Sequence, residues 1–290
     1  AKGQIDFFEK TFGEYPWYKD GYKLVESPYE GMEHQSAIAY GNGYKNNSFV
    51  GDFDYIILHE SAHEWWGNAI TAADLADVWL QEGFATYSEA LFVEKTLGKN
   101  AYLQYMLIYR LFIKNKWPVV GPKDRRYFSY KNSDCYQKGA WILHTLRSQI
   151  NDDKIFFAVL KSFFEKHKYK TTSSNDFIEM VNEKTNNDYN WFFKQYLNKR
   201  EAPILEHYWD GENFYYRWNW VDADFKMPVE IILDNTVKTT LIPKKSDKLV
   251  QVIPISKEAY KEISFDNFSK LFGIRENKKL RKMEVIVSAE

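Results

Sequence analysis

Residues 59–83 read HESAHEWWGNAITAADLADVWLQEG, and the predicted fold of the chain is built around this stretch. His59 and His63 are four residues apart, which places their imidazoles on one face of a helix, close enough to bind the same ion. The pair Gly67-Asn68 is typical of a helix end. The stretch therefore predicts a helix that presents two metal ligands and then stops.

Glu82 is the candidate for a third ligand. A loop over residues 68–77 would let the following helix fold back antiparallel and carry Glu82 to the same ion. Zinc in a catalytic site takes three protein ligands and leaves one position open for water. The pattern predicts a site for one zinc ion; the alternative is a partly buried helix whose two imidazoles are unrelated.

Two further carboxylates belong to this pattern. Glu60 directly follows the first histidine, where a carboxylate can take a proton from water and pass it to a departing amine, so it is the candidate general base. Glu89 lies seven residues beyond Glu82 and therefore on the same helical face. There it could accept a hydrogen bond from the distal nitrogen of a zinc-binding histidine.

The region from about residue 51 to residue 200 is mostly helical in its pattern, with Asp52 or Asp54 placed to cap the first helix. Two short strands are expected before it, over Tyr22–Glu26 and Gln35–Tyr40. Apolar residues at three- and four-residue spacing predict helices over Phe53–Trp66, Val78–Leu97, Tyr102–Lys114, Gly139–Gln149, Lys154–Lys166 and Asn175–Leu197.

After Pro203 the pattern changes to alternating apolar residues in short, turn-separated segments. These predict a β-sandwich of about 85 residues. The expected fold class is α+β, with a mainly helical domain over residues 1–201 and the β-sandwich over 202–290. Within the first domain, residues 1–50 form the small sheet portion and 51–201 the helical portion.

The composition limits the kinds of partner. The 290 residues are 44% hydrophobic and 18% aromatic, which supplies enough apolar material for packed cores. The formal net charge is -1 and no dense basic cluster occurs, so nucleic-acid binding is not expected. No apolar run approaches the roughly 18 residues of a membrane helix, so membrane insertion is not expected. A single cysteine, Cys135, leaves the cellular compartment open.

Four segments of the sequence are distinctive as a set. They are Gly31-Met32-Glu33-His34, residues 59–68, residues 79–84 and Tyr136-Gln137-Lys138-Gly139-Ala140. Together, in their residues, order and spacing, they resemble a known family, the zinc aminopeptidases related to aminopeptidase N and leukotriene A hydrolase. The resemblance implies a thermolysin-like catalytic domain followed by a β-sandwich.

The resemblance also implies roles for two residues outside the metal pattern. Glu33 matches the glutamate that binds the free α-ammonium group of the substrate, which would limit cleavage to the first peptide bond. Tyr136 matches the family's catalytic tyrosine, a neutral donor suited to stabilising the oxyanion. The expected activity is a zinc aminopeptidase acting on peptides with a free N-terminus. A zinc endopeptidase and a non-catalytic scaffold remain alternatives.

The sequence departs from the family at several positions. Glu30, His34 and Gln81 replace a glycine and two asparagines of the family pattern, and the first two changes lie beside the amine-binding carboxylate. The family also carries a β-rich domain before the catalytic one, whereas Glu33 lies close to the start of this chain. The resemblance therefore implies that the usual N-terminal domain is missing here, and the preferred N-terminal residue stays open.

Overall fold

The computed structural model describes residues 1–125 and 134–286, and the chain divides into two compact units, Ala1–Asp188 and Tyr189–Glu290. The first unit contains helices α1 (Lys2–Phe12), α2 (Tyr55–Ala62), α3 (Trp79–Leu97), α4 (Lys99–Arg110), α5 (Gln137–Ile150), α6 (Asp153–His167) and α7 (Ser174–Thr185). Its strands are β1 (Lys23–Glu26), β2 (Gly31–Met32), β3 (Ala37–Tyr40), β4 (Ile70–Ala72) and β5 (Lys170–Thr172).

A small three-stranded sheet, ordered β1-β3-β2, leads into helix α2. Strand β1 is parallel to β3, and β2 is antiparallel to β3 with Gly31 opposite Tyr40. The Tyr40 hydroxyl donates a hydrogen bond to Asp54, and the Asp54 carboxylate in turn accepts the backbone N–H groups of Ile56 and Ile57. Asp54 is therefore the residue that caps α2, and this cap ties the helix to the end of the sheet.

Helix α3 is the central helix of the first unit and packs against α2, α4 and α5. Gly83 of α3 and Gly139 of α5 lie at the closest approach of their two helices, because a Cβ atom built on Gly83 would stand 2.9 Å from the Gly139 Cα. Such a distance is below ordinary van der Waals contact between carbon atoms. The two glycines therefore bring Glu82 and the start of α5 close together.

Strands β4 and β5 join distant parts of the first unit. They pair in parallel, with Ile70 opposite Lys170 and Ala72 opposite Thr172. Helix α7 then begins with a capping box, in which Ser173 and Asp176 satisfy each other's backbone N–H groups. The segment of chain between these two paired strands contains helices α3, α4, α5 and α6.

The second unit contains helix α8 (Asn190–Asn198) and two sheets. The strands are β6 (Ile204–Trp209), β7 (Asn213–Asn219), β8 (Val229–Leu233), β9 (Val237–Leu241), β10 (Leu249–Pro254), β11 (Ile263–Phe265), β12 (Gly273–Glu276) and β13 (Glu284–Ile286). One sheet is ordered β12-β6-β7-β10-β13 and the other β11-β8-β9. The rings of His207 and Phe214 in the first sheet contact that of Phe265 in the second, so the two sheets face each other.

Two features differ from the sequence-based expectations. The helix expected over Asn175–Leu197 is two helices, because Asn186 adopts a left-handed conformation that ends α7. Helix α1, with Phe8 and Phe12 buried, was not expected. Helix α8 groups with the second compact unit. The domain boundary at residue 201, which would assign α8 to the first domain, stays a prediction.

None of the helices among the described residues combines the length and the apolar character needed to cross a membrane.

Candidate metal centre

Three donor atoms converge where the first turn of α3 faces α2. The Nε2 atoms of His59 and His63 are 3.1 Å apart, and the Glu82 Oε2 lies 3.5 Å from the first and 3.3 Å from the second. Ligands at about 2.0–2.1 Å from a tetrahedral zinc ion are themselves separated by about 3.3 Å. The triangle formed by the three atoms therefore has the size that a zinc ion requires.

The distal nitrogens of both imidazoles are occupied. His59 Nδ1 is 2.7 Å from Glu89 Oε1, and His63 Nδ1 donates to the Trp66 carbonyl at 2.8 Å. Each Nε2 lone pair is then directed at the common point that the Glu82 carboxylate also faces. Three electron-rich atoms this close repel one another unless a cation or protons lie between them, so the donor set fits a metal ion.

The acid–base properties of the cluster without metal follow from burial and charge. Burial lowers the pKa of His63, but the charge of Glu82 and its hydrogen bond outweigh this and raise the pKa to about 9. Burial likewise lowers the pKa of His59, yet the hydrogen bonds that the imidazole donates to Glu82 and Glu89 raise the pKa well above its ordinary value. Burial raises the pKa of Glu82, whereas the two histidines lower it to about 2. Protons thus occupy the place that a metal would take, and binding would release them.

Glu60 lies beside this cluster on α2. The residue is 7% exposed, and its Oε2 has no hydrogen-bond partner among the residues that the structure describes. Its Oε1 fills the space beside Gly31, where an added Cβ would lie 2.4 Å away. Burial raises the pKa of Glu60, while the charges of His59 and His63 lower it. A buried carboxylate with an unused acceptor next to the donors is suited to receiving a proton.

All seven residues singled out in the sequence line one cavity of about 530 Å³. Glu33 follows β2, and its carboxylate, that of Glu60 and a ring nitrogen of His63 lie within 4.8 Å of one another. The Tyr136 ring, just before α5, is stacked on that of His59 with centroids 6.1 Å apart. The seven are Glu33, His59, Glu60, His63, Glu82, Glu89 and Tyr136.

The cavity also contains residues that the sequence did not single out. Tyr55 lies four residues before His59 and Thr86 four after Glu82, so the helical period used for the ligands could have found both. Tyr109 lines the cavity from α4 and hydrogen-bonds Glu89. No spacing links it to the ligands, and it is one of 21 tyrosines in the chain.

The domain model of peptidase family M1 matches residues 1–196, and the chain therefore belongs to this family. It is similar to the leucyl aminopeptidase of Saccharolobus solfataricus, with 23% identity over 275 residues that cover 86% of this chain and 35% of that protein. It is also similar to aminopeptidase N of Lactococcus lactis subsp. lactis, with 28% identity over 168 residues, 52% of this chain and 19% of that one.

The fold is shared with an M1 zinc metallopeptidase from Deinococcus radiodurans. The two structures superpose with a TM-score of 0.58 at 24% identity, over 69% of this chain and 43% of the other. The overall α+β class expected from the sequence agrees with this likeness. The chain spans 35% and 19% of the lengths of the two curated relatives above.

Proposed function

We propose that this chain is the catalytic part of a zinc aminopeptidase that hydrolyses the N-terminal peptide bond of peptides. The observation that carries the proposal is the convergence of His59, His63 and Glu82 beside Glu60, with Glu33 in the same cavity. We further propose that residues 1–201 form a thermolysin-like catalytic domain and 202–290 an appended β-sandwich. The names of the relatives, leucyl aminopeptidase and aminopeptidase N, support the activity.

In this proposal His59, His63 and Glu82 hold the zinc ion. When bound, zinc polarises the peptide carbonyl and makes water a stronger acid. Glu60 accepts the proton of the attacking water at its unused Oε2 and delivers it to the departing amine. Tyr136 donates a hydrogen bond to the oxygen of the tetrahedral intermediate, where negative charge develops.

Glu33 decides which bond is cut. Its carboxylate binds the substrate's α-ammonium group through a charge-assisted hydrogen bond. A residue of extended chain spans about 3.3–3.6 Å, and the donors of Glu33, Glu60 and His63 lie within 4.8 Å of one another. Only one substrate residue fits between the amine anchor and the reacting centre, so the enzyme acts as an exopeptidase.

The test is zinc content measured together with hydrolysis of leucyl and alanyl p-nitroanilides and of their N-acetylated forms, with and without chelator. We expect chelator-sensitive cleavage of the free substrates only. Glu33→Gln should bind zinc as the parent does and lower kcat/KM for free substrates by about 10–100-fold, because a charged hydrogen bond to the amine is lost.

Two outcomes would contradict the proposal. Cleavage of acetylated and free substrates at similar rates would indicate an endopeptidase that does not use Glu33. Zinc bound without cleavage of either substrate would indicate a binding or scaffold role for this chain.

A further inference from the structure

The carboxylate that orients His59 is itself held by two phenols. Glu89 Oε1 is 2.7 Å from His59 Nδ1, and Glu89 Oε2 accepts hydrogen bonds from the hydroxyls of Tyr105 and Tyr109, each at 2.5 Å. The two tyrosines are one turn apart on α4, and their hydroxyls are 3.0 Å from each other. The chain of contacts thus runs from α4 through α3 to a metal donor on α2.

Both phenols and the carboxylate are buried. Glu89 and Tyr105 are 1% exposed and Tyr109 is 5% exposed, so little solvent reaches these hydrogen bonds. Phenol–carboxylate bonds are charge-assisted and stronger than neutral ones, and the loss of buried partners leaves the charge of the carboxylate poorly solvated. The position of Glu89 is therefore determined by α4 as much as by the helix that carries it.

We propose that Tyr105 and Tyr109 are positioning residues for the metal: through Glu89 they fix the orientation and tautomer of His59 and so set the affinity for zinc. The inference rests on the metal site proposed above. Without the two phenol donors, the Glu89 carboxylate can rotate, and this rotation weakens its hydrogen bond with His59 Nδ1–H. The loss of partners that orient a ligand typically lowers metal affinity by about 10–100-fold.

A purely structural role for buried tyrosines on α4 would give a different result, and the same helix supplies the control. Tyr102 is also buried on α4, and its hydroxyl hydrogen-bonds the Tyr87 hydroxyl at 2.9 Å and His144 Nδ1 at 2.5 Å. Removal of this hydroxyl disturbs a buried polar contact of α4 away from the metal donors. Tyr102→Phe therefore reports how much the loss of any buried hydroxyl on α4 changes zinc affinity and thermal stability.

The experiment compares Tyr105→Phe, Tyr109→Phe, the double variant and Tyr102→Phe. Zinc affinity is measured by competition with a chromophoric chelator, thermal unfolding of the metal-free proteins gives their stability, and the visible spectrum of the cobalt-loaded proteins reports ligand geometry. We expect Kd for zinc to rise about 10-fold in each single variant and up to about 100-fold in the double. Tyr102→Phe should stay within about twofold of the parent.

The route through Glu89 is tested by adding Glu89→Gln. If the phenols act through this carboxylate, Tyr105→Phe and Tyr109→Phe should weaken zinc binding little further in the Glu89→Gln background. Equal zinc affinities and cobalt spectra in the parent and the single variants, with only melting temperatures lowered, would overturn the inference. Failure of the parent itself to bind zinc would instead overturn the proposed function.

Discussion

At the scale of single residues, Glu60 does not help to orient the proposed metal donors, although it directly follows His59 in the chain. Its Oε1 packs into the space that Gly31 leaves by lacking a side chain, and its Oε2 has no partner among the described residues. His59 and His63 are oriented by other groups, Glu89 and the Trp66 carbonyl. A change at Glu60 can therefore alter the chemistry without altering the ligand set.

Glu60→Gln keeps the size of the side chain and removes its ability to accept a proton. We expect zinc content equal to that of the parent and a fall in kcat of about 10²–10⁴-fold, the usual contribution of a general base. Metal analysis and leucyl p-nitroanilide hydrolysis measure the two quantities. Turnover within tenfold of the parent would remove Glu60 as the base.

The residues that could be predicted are those tied together by helical spacing. His63 lies four positions after His59 and Glu89 seven positions after Glu82, so the sequence alone places each pair on one helix face. Tyr105 and Tyr109 reach Glu89 only because α4 packs against α3. A contact between separate helices leaves no spacing in the sequence, which is why this pair was missed.

At the scale of secondary-structure elements, the crossing of α3 and α5 is determined by two glycines. Gly83 and Gly139 permit backbone-to-backbone contact directly after Glu82 and three residues after Tyr136. Their close approach holds Glu82, a proposed ligand on α3, near Tyr136, the proposed oxyanion donor just before α5. Elsewhere in a helix a glycine is a weakness, so its presence here reflects the packing.

Gly83→Ala should therefore have the opposite effect from an ordinary glycine replacement in a helix. We expect a loss of about 1–3 kcal/mol in unfolding free energy, because the new methyl group meets the Gly139 backbone. Gly3→Ala in α1 is the matched control, since no group outside its own stretch of helix lies within 4 Å of the added Cβ, and it should leave stability unchanged or raise it by up to about 1 kcal/mol. Chemical denaturation measures both, and an equal response of the two variants would contradict the packing argument.

Helices with a clear apolar period could be predicted from the sequence. The pairing of strands that are far apart in the chain could not. The periodicity indicated α3, α5 and α6 close to their observed limits. The parallel register of Ile70 with Lys170 joins segments far apart in the chain, and no local pattern specifies it. The break at Asn186 had a local signal, an asparagine suited to the left-handed conformation, but the apolar period on both sides obscured it.

At the scale of the whole molecule, the metal site links folding stability to pH. The pKa of His63 rises from 6.5 to about 9 in the folded, metal-free protein. Between these values the folded state holds a proton that the unfolded state has lost, so the stabilisation is complete below pH 6.5 and disappears as pH rises through about 9. Zinc bound at the proposed ligands would displace this proton and with it the pH dependence.

We therefore expect the unfolding free energy of the chelator-treated protein to fall between pH 6.5 and 9, and that of the zinc-loaded protein to fall less or to rise. Urea titrations at several pH values in this range, with and without zinc, measure the difference. Parallel profiles for the two forms would show that His63 does not carry the proton.

The pairing of β4 with β5 has a consequence for the order in which the molecule assembles. The three proposed metal donors lie within residues 59–82, on either side of β4 and far ahead of β5, whereas Tyr136 lies deep inside the long segment that this pairing closes. Contacts between residues near in sequence form sooner than those that must first close a long loop. We therefore expect the proposed donors to emerge and meet before β5 is synthesised, so that ion capture would belong to the early, local phase of folding and the complete cavity would form only when β5 docks.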